Sequence, residues 1–362
     1  MTLARTSVKG AYRRFYVPHA TRRDLLTVAD GVCSHRLPVH GMLMRLKAPL
    51  TTALARMGEG RGSAERLRIS GGDPYLIELP GDHPRLPAEN SVKAFLFTEQ
   101  ETSTICLLGL SEDFRASAGV LLIYLHPVVS RLFLGTAGMR LALKQCIGGS
   151  QVLNAEISGY TANVLCDGGK RVKTRREWFA EGKPPAEFFS ELEQEKQWLR
   201  SLEVTIDRDG RSHCRIKRDL TFSCQAGLTQ FYTTLLAALG RVALDQSRIF
   251  QSRGAEESTT RSPRPVEIRF ENPVFDSKAQ NARLVSVLRR MSDSALSVFH
   301  ANPFMHASVV DYLDGSSYRL WITDSSAITL IPDLRASATS LGRLCNHINE
   351  YFEEGLVQEI AE

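Results

Sequence analysis

A strands-then-long-helix rhythm, met twice in this chain, limits the folds open to it. Leu202–Asp207 and His213–Ile216 face each other across Arg-Asp-Gly-Arg, where Asp-Gly supplies the positive φ that a tight hairpin needs. Leu220–Cys224 follows as a third strand. Leu228–Ile249 then carries apolar residues at 228, 231, 235, 238, 239 and 242, the spacing of one helical face. Nearer the C-terminus, Met305–Tyr312 and Ser317–Thr323 return on each other across Leu-Asp-Gly-Ser, Ala327–Ile331 adds a strand, and Leu341–Phe352 closes as a helix. Successive hairpins build antiparallel sheets, and a helix with one apolar stripe must bury it on them. The expected class is α+β: mixed or antiparallel sheets with helices packed on them, in two to three domains.

With 362 residues the chain is too long for one small module. Residues 1–90 read as a basic, loop-rich N-terminal region. They contain a Gly-rich patch at Gly58–Gly62, two short strands in Leu67–Leu79 around Gly-Gly-Asp-Pro, and weak helical spacing from Leu25 to Met42. Residues 91–251 read as a central α+β domain. Its elements are a Lys93–Thr98/Thr104–Leu110 hairpin, a helix over Val128–Gln145, a strand over Val152–Leu165 and a helix over Ala186–Arg200. Val120–Leu125 fits a buried strand or the start of a helix equally well. Residues 252–264 hold no large apolar side chain and read as a linker. Residues 265–362 read as a C-terminal α+β domain opening with a strand at Val266–Phe270, a helix at Asn281–Met291 and a strand at Leu296–Phe299.

Composition excludes several classes. Apolar residues at 43% and charged residues at 23% are globular values, which removes disordered and fibrous chains. No eighteen-residue apolar run exists, so no membrane span is expected, and the N-terminal Met-Thr-Leu-Ala-Arg lacks the apolar core of a signal peptide. The seven cysteines form no CxxC pair and no zinc spacing, which points to buried reduced thiols and a cytoplasmic protein. Neither Cys166–Lys170 nor Gly58–Ser63 fits a phosphate-binding loop, and the chain has no GxSxG elbow and no HExxH. No cofactor and no metal is called for.

Two sets of residues bear on hydrolytic chemistry. Asp276-Ser-Lys278 and Glu181-Gly-Lys183 match the short acid-x-Lys triplet of restriction-type nucleases, but the first falls just before a helix and the second in a loop. The segment from His300 through His306 to Asp311 and Asp314, in a helix, strand, His-bearing strand, turn, strand order, resembles the second half of a phospholipase D-like domain. That family uses HxKxxxxD to form a phosphohistidine. The resemblance covers about seventy residues and retains the histidine, with Ser308 at the lysine position and Leu313 at the aspartate position. Odd spacing along a strand sends His306 and Asp311 to opposite faces, so the bottom-up expectation is a half-buried strand histidine and two turn aspartates.

The basic clusters carry the leading expectation. Net charge is +5, and of 45 cations ten are lysine, leaving 35 arginines, the better residue for bidentate phosphate contacts and for stacking on bases. One cluster is Lys170, Arg171, Lys173, Arg175 and Arg176, beside Trp178 and Phe179; the other is Arg215, Lys217 and Arg218. Arg215 and Lys217 share one strand face. Cations with aromatics suit phosphate neutralisation and base stacking, although burial is the commoner use of a residue like Trp178. The sequence therefore reads as a nucleic-acid-binding protein (DNA or RNA), a non-catalytic component of a larger bacterial-type complex with a possible protein partner and no membrane. A phosphodiesterase or nuclease centred on His300 and His306 is the second reading, and a protein–protein adaptor the third.

Overall fold

A computed structural model of the chain describes residues 13–17, 20–34, 37–59, 68–79, 92–99, 104–147, 154–166, 171–207, 211–250, 264–301, 304–334 and 336–360. It forms two compact units. The first draws on Met1–Ala162, Arg175–Glu195 and Leu199–Leu244, the second on Asn163–Thr174, Lys196–Trp198 and Asp245–Glu362. Antiparallel sheets with helices packed on them make the class α+β.

In the larger sheet, β2 (Arg68–Ser70), β3 (Tyr75–Leu79), β4 (Val92–Glu99), β5 (Thr104–Leu110) and β1 (Val39–Leu46) lie side by side. The order continues through β11 (Thr221–Ala226), β10 (Arg211–Lys217), β9 (Gln197–Asp207), β7 (Asn154–Cys166) and β8 (Arg171–Lys183), with β6 (Val129–Arg131) added beside β1. β1 joins the two halves: Met42 pairs with Leu107 of β5 on one side and with Thr221 of β11 on the other. The composition change near residue 90 thus falls inside one sheet, since Tyr75 of β3 pairs with Leu96 of β4.

Coverage of this sheet differs between its halves, and the sequence shows why. One face packs Leu43, Phe95, Cys106, Leu202, Val204 and Phe222 against four helical segments: α1 (Arg22–Ser34), α4 (Thr136–Ile147), α5 (Pro185–Gln194), and α6 (Leu228–Phe231), which runs through a π-helical Tyr232–Leu236 into α7 (Ala237–Ser247). The opposite face is covered at β1, β4 and β5, where Met42, Met44, Leu96, Ile105 and Leu107 meet Phe114, Ala118 and Leu121 of α3 (Ser111–Tyr124). All seven residues of β5 are buried, which is why its sequence is a continuous apolar run. β10 alternates buried and open positions instead, the pattern of a strand covered on one side.

Several elements differ from the sequence reading. Val120–Tyr124 is the end of α3, so that run is helix. The 128–145 segment divides into β6 and α4, and the helix expected over 186–200 stops at Gln194. Lys196 there takes φ 51°, and Gln197-Trp198-Leu199 begins β9. α2 (Leu50–Glu59), β1 and β8 were not expected as such. The 252–264 linker lies, except for Arg264, outside the described residues. All seven cysteines are unbridged. Cys214 and Cys224 pair across β10 and β11 with their sulfurs 2.7 Å apart, and the Cys224 thiol together with burial pushes Cys33 well above the usual thiol range. Among the described residues no helix is long and apolar enough to cross a membrane.

The second unit holds a six-stranded antiparallel sheet in the order β13 (Ser294–His300), β14 (Met305–Asp311), β15 (Ser317–Asp324), β16 (Ala327–Pro332), β12 (Val266–Arg269) and β17 (Leu356–Glu359). α8 (Lys278–Leu288) and α9 (Ala338–Tyr351) cover one face, packing Leu284, Val287, Leu344 and Ile348 on Ala307, Val309, Leu320 and Leu330. Asp314 fixes the start of α9: its carboxylate accepts from Ser337 Oγ at 2.5 Å and Ser340 Oγ at 2.9 Å. Asp311, 1% exposed, accepts from Arg343 at 2.6 Å. A buried carboxylate stripped of its paired cation is costly, so Arg343→Met should lower unfolding stability by about 3–5 kcal/mol. Adding Asp311→Asn to that variant should recover part of the loss, as read by urea denaturation of both proteins.

Candidate nucleic-acid interface

Strand alternation decides which expected cations can meet a ligand. On β8, Arg175 and Phe179 turn toward the helix-covered side. Phe179 stacks on Tyr160 with centroids 5.9 Å apart, and Arg175 pairs with Glu177 at 3.0 Å and Glu195 at 2.7 Å. Arg176 and Trp178 take the opposite face. Trp178 is not a core anchor: it is 55% exposed, because its strand places Phe179 inward and the indole outward. The indole lies over Gly159, where a Cβ would come within 2.8 Å of ring atom Cε3. The Arg176 guanidinium sits 4.6 Å from the indole centroid, within cation–π range.

β9 and β10 continue this face, buried at Ser201, Glu203 and Thr205 of β9 and open at Arg211, His213, Arg215 and Lys217 of β10. Their register sets Arg215 opposite Glu203, His213 opposite Thr205 and Lys217 opposite Ser201. Glu203 is only 6% exposed and serves as the shared anion: Arg215 Nε lies 3.7 Å away, Arg176 3.9 Å and His213 Nε2 4.0 Å. Burial raises the Glu203 carboxyl above its ordinary range, while Arg215 and Arg176 pull it back down. Arg215 also donates to Ser201 Oγ at 3.2 Å. Lys217 is exposed. One carboxylate thus orients two arginines that are about forty residues apart in sequence, with a lysine beside them and an exposed indole next to one of them.

The remaining expected residues lie elsewhere. Arg218 is inside the protein at 2% exposure, donating from Nε to the Leu134 carbonyl at 3.3 Å with its guanidinium 4.5 Å from the Phe133 centroid. It belongs to the core and leaves the surface set, because a phosphate has no path to it. Lys170 lies outside the described residues, and Arg171 is placed only as a backbone position of β8. Lys173 is exposed on β8 in the stretch grouped with the second unit. His300 and His306 face each other across β13 and β14, and the His306 ring stacks on Trp321 with centroids 3.7 Å apart. Asp311 turns to the other side of that sheet, into the Arg343 pair. Asp276 immediately precedes α8, and Lys183 closes β8 in a 2.5 Å bond to Glu191. Among the described residues no three His, Cys, Asp or Glu side chains converge as a metal site would require. Gly159, Glu203 and His213 were missed by sequence reading, since only the cross-strand register reveals them.

His213 gives the face a pH signature. Burial first, and then the Arg211 charge, hold its imidazole below the ordinary value near 6.5. A depressed folded-state pKa means that the unfolded chain binds more protons just below pH 6.5, so stability present above that pH is lost as pH falls. His347, held low by burial in the second unit, adds to the same slope. His213 thus contributes a loss of unfolding free energy as pH falls from 7 to 5, opposed by the raised Glu203 and Glu353 carboxyls. His213→Gln should therefore lose less stability, or gain more, across that window than the parent chain, as chemical denaturation would show.

Compared with known proteins, the chain matches no protein-family model and shows no significant sequence match to a curated protein.

Proposed function

We propose that the open face of β8, β9 and β10 binds nucleic acid, with single strands as its best ligand. The observation that carries this reading is Trp178, exposed over Gly159 and flanked by Arg176, on the same face as Arg215 and Lys217. A strand's phosphates would meet the three cations while a base stacks against the exposed indole. Arginine suits this place because its planar guanidinium can hold Glu203 and still offer N–H groups to a phosphate. An open antiparallel sheet with an outward aromatic is also a recurring platform for unstacked bases. The role is one of binding, as a component that delivers or holds a nucleic acid within a larger complex.

Fluorescence anisotropy with labelled single-stranded and duplex oligonucleotides across a salt series, with Mg²⁺ present, tests this. Affinity for the single strand should fall steeply with salt, and Arg176→Ala, Arg215→Ala and Lys217→Ala should each shallow the log–log slope by about 0.7. Trp178→Ala should cost about 1–3 kcal/mol of single-strand binding with the slope unchanged. Arg175→Ala, on the other side of the sheet, should change neither. Absence of binding at low salt, or binding indifferent to all four of the open-face substitutions, would overturn the proposal, and a cut probe would replace it with the nuclease reading.

A further inference from the structure

The two sheets guard their ends differently. At the ends of the larger sheet, β2 is three residues long, and β8 carries Arg175, Arg176, Glu177 and Glu181 along its length. Short strands and charges are the usual protection against an extra strand pairing at an edge. In the second unit β17 is four residues long and ends in Glu359. β13 has neither short length nor charge, and its pairing with β14 shifts register only between Val298 and His300. Its seven residues, Ser-Ala-Leu-Ser-Val-Phe-His, include no Lys, Arg, Asp, Glu or Pro, and its last four positions are exposed. Among the described residues it pairs with β14 alone, so over the regular stretch Ser294–Val298 alternate backbone N–H and C=O groups point outward without a strand partner.

Beside this edge, on the helix-covered side, a cleft of about 520 Å³ opens between α8 and β13. Ala282, Val285, Val298 and Ala301 form its apolar lining, and Arg289 and Arg290 stand at the C-terminal end of α8. Both arginines are exposed, and among the described residues no carboxylate pairs with either. The cleft has an apolar floor and a doubly cationic end, next to a backbone ladder open for pairing.

We propose that β13 and this cleft take an extended segment of a partner protein, added to the sheet as a further strand. Its apolar side chains would enter the cleft, and its Asp or Glu carboxylates would meet Arg289 and Arg290. Backbone pairing supplies affinity in this mode, and the pockets for alternate side chains supply the preference. The carboxylate requirement comes from charge complementarity: two guanidinium groups at one end of an apolar groove attract and orient an anion, and bidentate pairing favours a carboxylate. The site is separate from the open face of β8 to β10 and does not depend on nucleic-acid binding there.

Selection of phage-displayed random nonapeptides on the immobilised full chain, followed by titration of the enriched peptides in solution, tests it. The enriched sequences should alternate apolar residues and carry Asp or Glu. Their affinity should fall by about tenfold or more in the Arg289→Glu/Arg290→Glu double variant, whose substitutions are exposed and leave the core intact. Repeating the selection on that variant should enrich Lys or Arg in place of the acids. Val298→Pro, which disturbs the edge itself, should weaken every enriched peptide. Failure to enrich any sequence, or affinities indifferent to both variants, would overturn the proposal. So would a dimer in sedimentation that Val298→Pro dissolves, which assigns the edge to a second copy. Displacement of the peptides by a single-stranded oligonucleotide would assign the cleft to nucleic acid instead and equally overturn it.

Discussion

Unequal coverage of the larger sheet is the constraint from which the rest of that unit follows. β1 must pair on both sides, with β5 and with β11, and it sits where coverage changes. On the β4–β5 side both faces are buried over Ala94–Phe97 and Ile105–Leu110, which are apolar throughout, and polar residues stand at the strand ends, Lys93 paired with Glu78. On β10 only the helix-covered face is buried, and the alternation of Arg-Ser-His-Cys-Arg-Ile-Lys follows directly. The polar half of that alternation is obliged to face outward, so a polar surface is set by the same residues that bury Cys214 and Ile216. Phe222 rests on Gly41 across β11 and β1, where a Cβ would overlap its ring, so the joint itself depends on a residue without a side chain.

Within the open face, Glu203 converts scattered cations into an arrangement. A carboxylate at 6% exposure would be strongly disfavoured alone, and Arg176 and Arg215 offset that burial from two different strands. The pairing distances of 3.7 to 3.9 Å are those of loose ion pairs rather than tight bidentate bonds. Each guanidinium therefore keeps donors for something else. Arg175 is the contrast on the same strand: two carboxylates within 3.0 Å saturate it on the far side of the sheet. Adjacent arginines take opposite faces of the sheet with different partners, and only the strand's two-residue period separates them.

Much of the fold was legible where one periodicity dominated. The hairpins at 93–110, 202–216 and 305–323 and the helix from 228 were readable because their apolar positions repeat at 2 or 3.6 residues and Asp-Gly marks two of the turns. β8 was not, because a run of Arg, Lys and Glu on both faces has no apolar alternation, and its strand state is imposed by pairing with β7. The helix expected to reach Arg200 failed for a related reason. Gln197–Ile206 is buried at nearly every position, polar residues included, so its mix of Gln, Arg, Ser, Glu and Thr with apolar residues does not mark which positions face the core. Of the candidate site, the shared face of Arg215 and Lys217 followed from their spacing, whereas the Arg176–Glu203–Arg215 grouping depends on a register that no local pattern encodes. The depth of Arg218 was equally hidden, since a third cation after Arg215 and Lys217 looks continuous with them in sequence.

Charge along β8 has two physical explanations, and they make different demands. Protection of a sheet end requires only that charged side chains line the strand, of either sign and in any order. The alternating Arg175, Arg176, Glu177 and the acid at Glu181 satisfy that demand by themselves. Edge protection gives no reason for a tryptophan to stay more than half exposed, for a glycine to sit beneath it on β7, or for a guanidinium to stack beside it. Exposing so large an aromatic forgoes the burial that ordinarily repays its size, about 25 cal/mol for each Å² of apolar surface left in water. An exposed aromatic with cations on the same face is what the proposed stacking of a base would use. The proposed strand addition rests on the converse: β13 carries no Lys, Arg, Asp or Glu, and the cations Arg289 and Arg290 stand at the end of α8.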